Sequence, residues 1–217
     1  ICLFATRLFV DLPNAVLAVI IIVAVWPLIR FREGWQAWRY QKSDGLIWLI
    51  TFSGVLLAGA ESGILAGMTL SLILYLKRTS EPHIAEIGRV GQGDHFRNVR
   101  RHQVTTSPVV ALLRIDENLY FANSRFLQDT IEHTLQQRSG VAHVVLVGSA
   151  INHVDFAGME TLQHLLHDLR ERGVQLHLAE FKGPVMDQLK RSELLQELAP
   201  GRIFFTASEA LRELGGC

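Results

Sequence analysis

Residues 45–76 read GLIWLITFSGVLLAGAESGILAGMTLSLILYL, an apolar stretch that contains one charged side chain, Glu61. A single helix of this length would be roughly 48 Å long, which exceeds the hydrocarbon core of a bilayer. Two shorter helices joined by a turn at residues 59–63 fit the stretch better. The sequence therefore predicts a helical hairpin, with one arm at residues 45–57 and the other at residues 62–76.

Basic side chains on both sides of this stretch indicate its orientation. Lys77 and Arg78 follow it directly, and four basic residues precede it: Arg30, Arg32, Arg39 and Lys42. Basic flanks of membrane helices stay on the cytoplasmic side. Both flanks can be cytoplasmic only if the chain crosses the membrane an even number of times between them. We therefore expect residues 31–43 and residues 79–217 to lie in the cytoplasm.

A second apolar stretch, residues 12–29, is uncharged and would span roughly 27 Å as a helix. The alternative is a buried helix of a large soluble protein, which the repetition of the pattern at residues 45–76 disfavours. The chain begins at Ile1 and shows no signal-peptide pattern, so we expect it to be part of a longer protein. Residues 1–78 are thus predicted to be membrane helices.

Charge and cysteine content limit the function classes. Only nine Asp, Glu, Lys or Arg side chains fall within residues 1–76, and the rest of the 21 basic and 21 acidic side chains follow. The formal net charge is zero, so no overall basic field favours nucleic acid. The two cysteines, Cys2 and Cys217, lie at opposite ends and predict neither a disulfide framework nor a metal site.

Glu61 is a candidate functional acid, because acidic side chains at membrane depth are costly and often functional. The alternative is a turn residue at the outer surface, beside Ser62 as the N-cap of the second arm. The glycines of the hairpin are expected to allow close helix packing rather than to bind a ligand: Gly54, Gly59, Gly63 and Gly67.

The polar segment 79–107 is predicted to be a linker with possible short strands. It carries a basic cluster, Arg97, Arg100 and Arg101, that either contacts anionic lipid headgroups or is simply a solvated surface.

Residues 108–217 follow the pattern of one small α/β domain. Strands are predicted at residues 109–115, 119–122, 143–147, 174–179 and 203–205. Helices begin near Asn123 or Ser124, at Asp155, at Gly183 and at Thr206. The apolar strand at residues 143–147 should be central, with both faces covered.

The domain shows no motif for catalysis, and we predict neither an enzyme nor a cofactor. A GxxxxGK[ST] phosphate loop and a GxSxG elbow are both missing from the sequence. Three histidines, His164, His167 and His177, could ligate zinc, but surface or edge positions are expected instead. Asp116 and Glu117 are adjacent in a turn, so they do not form an acid–base pair.

The most distinctive segment is the loop between the central strand and the next helix. Its candidate regulatory residues are Asn152, His153, Asp155, Phe156, Ala157 and Gly158. In open α/β sheets this position is a common binding point, and a helix start attracts anions. The alternative is that Asp155 only caps the helix.

Several segments together resemble the sulfate permease (SulP) family of anion transporters. The helix LPNAVLA at residues 12–18 with IIIVAV at 20–25 is similar to a late membrane helix of that family. The segment LYFAN at 119–123 resembles the signature of its attached STAS domain. Further similar segments are PHIAEIGRV at 82–90, HLAE at 177–180 and KGPVM at 182–186.

The resemblance implies a transport domain in two inverted repeats, of which this chain holds the last three helices and, in residues 1–10, the tail of the preceding one. The anion site would lie in earlier helices, so no substrate-binding residue is assigned here. The STAS domain would be cytoplasmic, and in relatives it supports dimerisation and regulation. Related anti-sigma-factor antagonists carry a phosphorylatable Asp-Ser-Ser-Gly, where this chain has Asp155, Phe156, Ala157 and Gly158, so a phosphorylation switch is not expected.

The fold class expected is therefore α-helical membrane segments followed by a cytoplasmic α/β STAS domain, in a multi-pass protein of the cell (inner) membrane. The function expected is secondary transport of an anion, sulfate first and bicarbonate or dicarboxylates next. Expected partners are the anion, membrane lipid, a second copy of the protein and a regulatory protein at the STAS domain. The alternative is a membrane-tethered STAS interaction module without transport activity.

Overall fold

The computed structural model describes residues 14–26, 30–91 and 93–215. The chain divides into two compact units, Ile1–Leu74 and Tyr75–Cys217. The division falls close to the predicted boundary at residue 78. The structure does not describe the predicted tail of a preceding helix, residues 1–10, or the two ends of the predicted helix at residues 12–29, which are residues 12–13 and 27–29.

The first unit contains helices joined by short connections. They are α1 (Asn14–Val25), α2 (Phe31–Tyr40), α3 (Lys42–Ala58) and α4 (Ala60–Ser80), the last of which continues into the second unit. Within the described residues, Ala60–Ser80 is long and apolar enough to cross a membrane, and Ala15–Ala24 is a shorter apolar helix.

Helices α3 and α4 form the predicted two arms, and the break between them is a single residue. Gly59 has φ of +90°, a left-handed conformation that favours glycine. The turn is shorter than the predicted 59–63, because α4 begins at Ala60. Ser62 therefore lies inside the helix, and the prediction that it caps α4 was wrong.

Glycines bring the two arms together, as expected. A Cβ on Gly54 would lie 3.0 Å from the Cα of Gly63, and a Cβ on Gly67 would collide with the Thr51 side chain. Without side chains at these positions the backbones approach closely, which is how helices associate in lipid. Gly59 serves the turn instead of the packing.

Helix α2 occupies part of the segment expected to be a basic cytoplasmic loop. Phe31, Gly34, Trp35 and Trp38 follow the spacing of one helix face. A Cβ on Gly34 would lie 2.5 Å from the Trp48 ring, so this face packs directly on α3.

The second unit is built on a six-stranded sheet with strand order β2-β1-β3-β4-β5-β6. Its strands are β1 (Ile84–Arg89), β2 (Phe96–Asn98), β3 (Val110–Ile115), β4 (His143–Val147), β5 (Gln175–Ala179) and β6 (Ile203–Phe204). Its helices are α5 (Ser124–Gln137), α6 (Phe156–Glu171), α7 (Gly183–Leu189), α8 (Leu194–Glu197) and α9 (Ala207–Glu213). β3 to β6 run parallel, and β1 is antiparallel to both β2 and β3.

Apolar side chains fill both faces of this sheet, so β4 is the buried central strand that its composition predicts. Val144 and Leu146 point to the larger core, beneath α5, α6 and α7, and Val145 and Val147 point to a second core with α9. The predicted fold class, helical segments followed by an α/β domain, is confirmed.

The segments on either side of β3 compare differently with the sequence predictions. Residues 79–107 contain the end of α4 and two short strands, β1 and β2, so the possible short strands of the predicted linker are present and belong to the sheet. Residues 119–122 are not a strand; Leu119 forms an isolated bridge to Val154. The Asn123 side chain folds the segment into a turn, since its Oδ1 accepts from Tyr120 N–H at 3.1 Å and its Nδ2 donates to Asn118 O at 2.7 Å.

Candidate functional site

The candidate loop lies at the carboxyl edge of the sheet. Because β3, β4 and β5 are parallel, the segments that follow them meet there. Leu119, after β3, donates its N–H to His153 O and accepts from Asp155 N–H at 3.0 Å. All six predicted loop residues are therefore held beside the turn that follows β3.

Asp155 fixes the start of α6. Its Oδ1 accepts from Gly158 N–H at 2.7 Å, the predicted N-cap bond, and its Oδ2 accepts from Phe121 N–H at 3.1 Å. Both carboxylate oxygens are thus occupied by backbone donors. A carboxylate at the helix start also repels a second anion, so the geometry does not support an anion site here.

Asn118 ties the loop to the preceding turn. Its Oδ1 accepts from Asn152 N–H at 2.8 Å and from His153 N–H at 3.1 Å. These two bonds satisfy backbone donors that no strand or helix pairs. The loop is consequently held in one conformation by side chains rather than by the sheet.

The polar rim of the site comes from the segment after β5. Lys182 Nζ donates to Asn152 Oδ1 at 2.6 Å, and Gln188 Nε2 donates to His153 Nδ1 at 3.1 Å. The side-chain oxygen Oε1 of Gln188 also accepts a hydrogen bond from Val154 N–H at 3.3 Å. Since His153 Nδ1 accepts, its Nε2 carries the proton in the neutral ring and faces outward as a donor.

Two phenylalanines project from this rim. Phe121 is 70% exposed and Phe156 is 71% exposed. The backbone N–H of Phe121 donates a hydrogen bond to Asp155, the residue before Phe156. Ala157 is half-buried. A Cβ on Gly158 would lie 2.8 Å from Leu119 O, so only glycine fits at that position. The surface combines exposed aromatic area with hydrogen-bonding groups, a composition typical of protein-binding sites.

The start of α6 lacks the two serines of the Asp-Ser-Ser-Gly pattern, because Phe156 and Ala157 occupy those positions. Thr161 is the nearest hydroxyl on α6; it is 7% exposed and donates to Ala157 O at 2.7 Å. Phe156 and Ala157 offer none. The two positions that carry serine in the Asp-Ser-Ser-Gly pattern therefore offer no hydroxyl for a phosphate.

The predicted surface position of His177 was wrong, whereas His164 and His167 are exposed. His177 is fully buried on β5. Its Nδ1 accepts from Arg202 N–H at 3.0 Å, and its Nε2 lies 3.1 Å from His143 Nδ1. Burial, reinforced by His143 and Arg202, lowers the pKa of His177 to about 4. Within the described residues no group of three or more ligating side chains could hold a metal ion.

Asp116 forms an ion-pair cluster at the end of β3 instead of an acid–base pair with Glu117. It accepts from Arg114 Nε at 2.6 Å and pairs with His83 Nδ1 at 2.7 Å. Burial alone would raise the pKa of Asp116, but the hydrogen bonds from Arg114 and His83 outweigh it and lower that pKa. The cluster joins β3 to the segment before β1.

Two other predicted candidates lie elsewhere. Glu61 is exposed in the first turn of α4, and its role stays a prediction. Arg97, Arg100 and Arg101 are exposed near β2 and form no ion pair within the part of the chain that the structure describes.

Four residues of the site carry no signal in the sequence that marks them as part of it: Asn118, Phe121, Lys182 and Gln188. Phe121 was hidden by the predicted strand at residues 119–122, which the structure replaces with a turn. The other three are brought to the loop by chain segments about 30 residues away, at distances that spacing alone does not indicate.

The architecture defines a STAS-domain protein with preceding membrane helices. The STAS domain profile matches residues 101–210, half of the chain, and the sulfate permease family profile matches residues 1–51. The chain therefore belongs to the STAS-domain proteins, and its first 51 residues match the sulfate permease family.

Relatives extend over nearly the whole chain. The probable sulfate transporter 3.4 of Arabidopsis thaliana is 29% identical over 98% of this chain and 34% of its own length. High affinity sulfate transporter 2 of Stylosanthes hamata is 28% identical over 98% of this chain and 34% of its own length. This chain therefore spans about a third of the length of the curated relatives it matches.

A solved structure shares the fold. The murine Solute Carrier 26 family member A9 anion transporter in the inward-facing state superposes with a TM-score of 0.71 and 21% identity, over 84% of this chain and 30% of that one. The relatives named here are transporters and not enzymes, in agreement with the expectation for this chain.

Proposed function

We propose that this chain is the C-terminal portion of a secondary active anion transporter and that sulfate is its preferred substrate. The observation that carries the proposal is the occurrence, in one chain, of the sulfate permease match at residues 1–51 and the STAS match at 101–210. The names of the plant relatives support sulfate over bicarbonate and dicarboxylates.

The substrate site is expected outside this chain. The two arms of the hairpin approach each other closely through glycines, which serves helix packing. Glu61, an acid in the first turn of α4, would repel an anion rather than bind one.

Uptake of radioactive sulfate by proteoliposomes tests the proposal. Full-length protein should concentrate sulfate, and excess unlabelled bicarbonate or dicarboxylate should compete less than unlabelled sulfate. Residues 1–217 alone should show no uptake. Full-length protein without anion uptake would instead support the alternative, a membrane-tethered STAS interaction module.

The orientation proposed is a multi-pass protein of the cell (inner) membrane with the STAS domain in the cytoplasm. Single cysteines at Tyr40, which is 90% exposed, and at the exposed Gln103 test it in a cysteine-free background. Both should resist impermeant thiol reagents in intact cells and react after permeabilisation. Labelling of only one of them in intact cells would contradict the hairpin.

For the STAS domain we propose a regulatory docking surface formed by Phe121, Phe156, Asn152 and His153. The two aromatic side chains are exposed although their backbone is firmly held, so binding would cost little ordering entropy. A protein partner fits this surface better than an anion, because Asp155 already occupies the helix start. The same domain is proposed to support dimerisation.

Substitution of Phe121 and Phe156 by Ala in the full-length protein tests this surface. Loss of partner capture or of regulated transport, with the domain still folded, is the expected result. Ile203→Ala, another exposed apolar residue at 46% exposure, serves as the matched control. Unchanged transport, dimerisation and partner binding in the double variant would leave the loop as a connection between strand and helix.

A further inference from the structure

The tryptophans of this chain are concentrated in one short region. All four lie within residues 26–48, and three of them belong to the α2–α3 pair: Trp35, Trp38 and Trp48. Tryptophan is enriched where membrane meets water, since its ring is apolar and its N–H needs a polar partner. The position of these residues between apolar helices therefore suggests a membrane boundary.

Helix α2 runs back along α3 from the turn at Gln41. Near the turn, a Cβ on Gly45 would lie 2.6 Å from the Cα of Trp38. At the other end, the centroid of the Phe31 ring lies 5.7 Å from that of Phe52 and 6.4 Å from that of Trp48, and both ring pairs are T-shaped. The two helices thus form a tight antiparallel pair.

An apolar cavity of about 500 Å³ lies along this pair, which is within the range of ligand sites in proteins. Its lining contains no charged side chain: Phe31, Gly34, Trp35, Trp38, Gly45, Trp48 and Leu49. From Trp38 to Phe31 the lining extends roughly 10 Å along α2, the length of part of an acyl chain. Trp35, at its edge, is 65% exposed.

Basic side chains lie close in the sequence to the residues that line the cavity. Arg39 and Lys42 lie on either side of Gln41, next to Trp38 and Gly45, and neither forms an ion pair within the described residues. Farther along α2, Arg30 is neutralised by Glu33 at 2.8 Å. Arg32, next to Phe31, also forms no ion pair within the described residues, and one acidic side chain, Asp44, lies beside Gly45, so basic side chains outnumber acidic ones along the pair.

We propose that this cavity binds an anionic phospholipid, with the acyl chain along Phe31, Trp35 and Trp38 and the headgroup phosphate at Arg39 and Lys42. The apolar lining matches the chain, and the two unpaired cations match the headgroup. The site rests on the proposed membrane location of the chain and not on its transport activity. In this proposal, α2 binds a lipid at the boundary between the membrane and the cytoplasm.

Native mass spectrometry of the full-length protein with phosphatidylglycerol and phosphatidylcholine tests the headgroup contact. The double variant Arg39→Gln/Lys42→Gln should bind phosphatidylglycerol roughly 25-fold more weakly, because each basic side chain near an anionic lipid is worth about a factor of five. Lys77→Gln/Arg78→Gln removes the same charge elsewhere and should have a much smaller effect. Equal losses in both double variants would overturn the site.

The acyl-chain contact needs a separate measurement. Leu49→Phe, at a lining residue that is 46% exposed, should fill the cavity and weaken binding of both lipids, while Leu72→Phe on the exposed surface of α4 should not. A bimane coupled to a cysteine at Trp35 should be quenched by doxyl-labelled phosphatidylcholine. A bimane that is not quenched would show that another part of the protein covers this face, which also overturns the proposal. Neither measurement depends on anion uptake.

Discussion

The two units of the chain use apolar side chains in opposite ways. On α1 and α4, Ile21 is 62% exposed and Leu72 is 59% exposed, whereas Leu146 on β4 and Leu162 on α6 are fully buried. The second unit has its own core and therefore its own source of stability. The helices of the first unit need lipid or other helices to cover them.

The packing contacts differ in the same way. The α3–α4 hairpin associates through glycines that let backbones touch, where the Cα of Gly63 would lie 3.0 Å from a Cβ on Gly54. The STAS domain packs large side chains on both faces of a sheet. Close backbone approach is effective in lipid, where burial of apolar side chains provides no gain, and side-chain burial is effective in water.

The largest expected effect is the loss of core volume in the STAS domain. Leu146→Ala should lower the free energy of unfolding of a fragment spanning residues 80–217 by about 2–5 kcal/mol, measured by urea denaturation. The same change at the exposed Leu72 should alter the thermal stability of the detergent-solubilised full-length protein only slightly. Equal destabilisation at the two sites would remove the contrast between the units.

Acid should destabilise the STAS domain through a buried histidine that the membrane unit lacks. Burial lowers the pKa of His177 to about 4, against an ordinary value near 6.5, so the folded state holds the ring neutral. The unfolded state binds a proton first, so stability is complete above pH 6.5 and falls as the pH drops from 6.5 to about 4, by roughly 3 kcal/mol.

Urea denaturation across this pH range measures the effect. His177→Gln should flatten the slope, whereas His167→Gln, at an exposed histidine, should leave it unchanged. An unaltered slope in the first variant would contradict the assignment to His177. His143, whose pKa burial also lowers, contributes in the same direction.

A large side chain in place of a glycine between α3 and α4 should force the two arms of the hairpin apart. Gly67→Leu should destabilise full-length protein in detergent by about 1–3 kcal/mol, because the new side chain must displace Thr51 of α3. Ala66→Leu adds a comparable side chain on an exposed position and serves as the control. Equal melting temperatures for the two variants would show that the arms do not pack through Gly67.

The smallest expected effects lie at the loop itself. Asp155→Ala should cost about 1–2 kcal/mol of STAS stability, since it removes the N-cap bond to Gly158. Phe156→Ala should cost less than about 0.5 kcal/mol, because that side chain is 71% exposed. A cost for Phe156 as large as that for Asp155 would mean that the ring has a structural role.

Sequence patterns predicted those elements whose signals are local. The apolar run at β4, the cap at Asp155 and the capping pattern at Thr206, where Oγ1 accepts from Glu209 N–H at 3.0 Å, are all present. Residues 119–122 have strand composition but form a turn, because Asn123 bonds their backbone. Tertiary hydrogen bonding outweighed local propensity there.

The sequence alone determined that an apolar helical part precedes an α/β domain, since hydrophobic periodicity and glycine positions depend only on neighbouring residues. It also identified the loop before Gly158, from its place between strand and helix. Only the tertiary structure brought Phe121, Lys182 and Gln188 to that loop, paired α2 with α3, and buried His177 against Arg202. The contacts at the loop and at His177 join residues 25 or more positions apart, and α2 and α3 are neighbours whose pairing depends on the turn at Gln41; strand order and helix packing set this geometry, which local sequence does not encode.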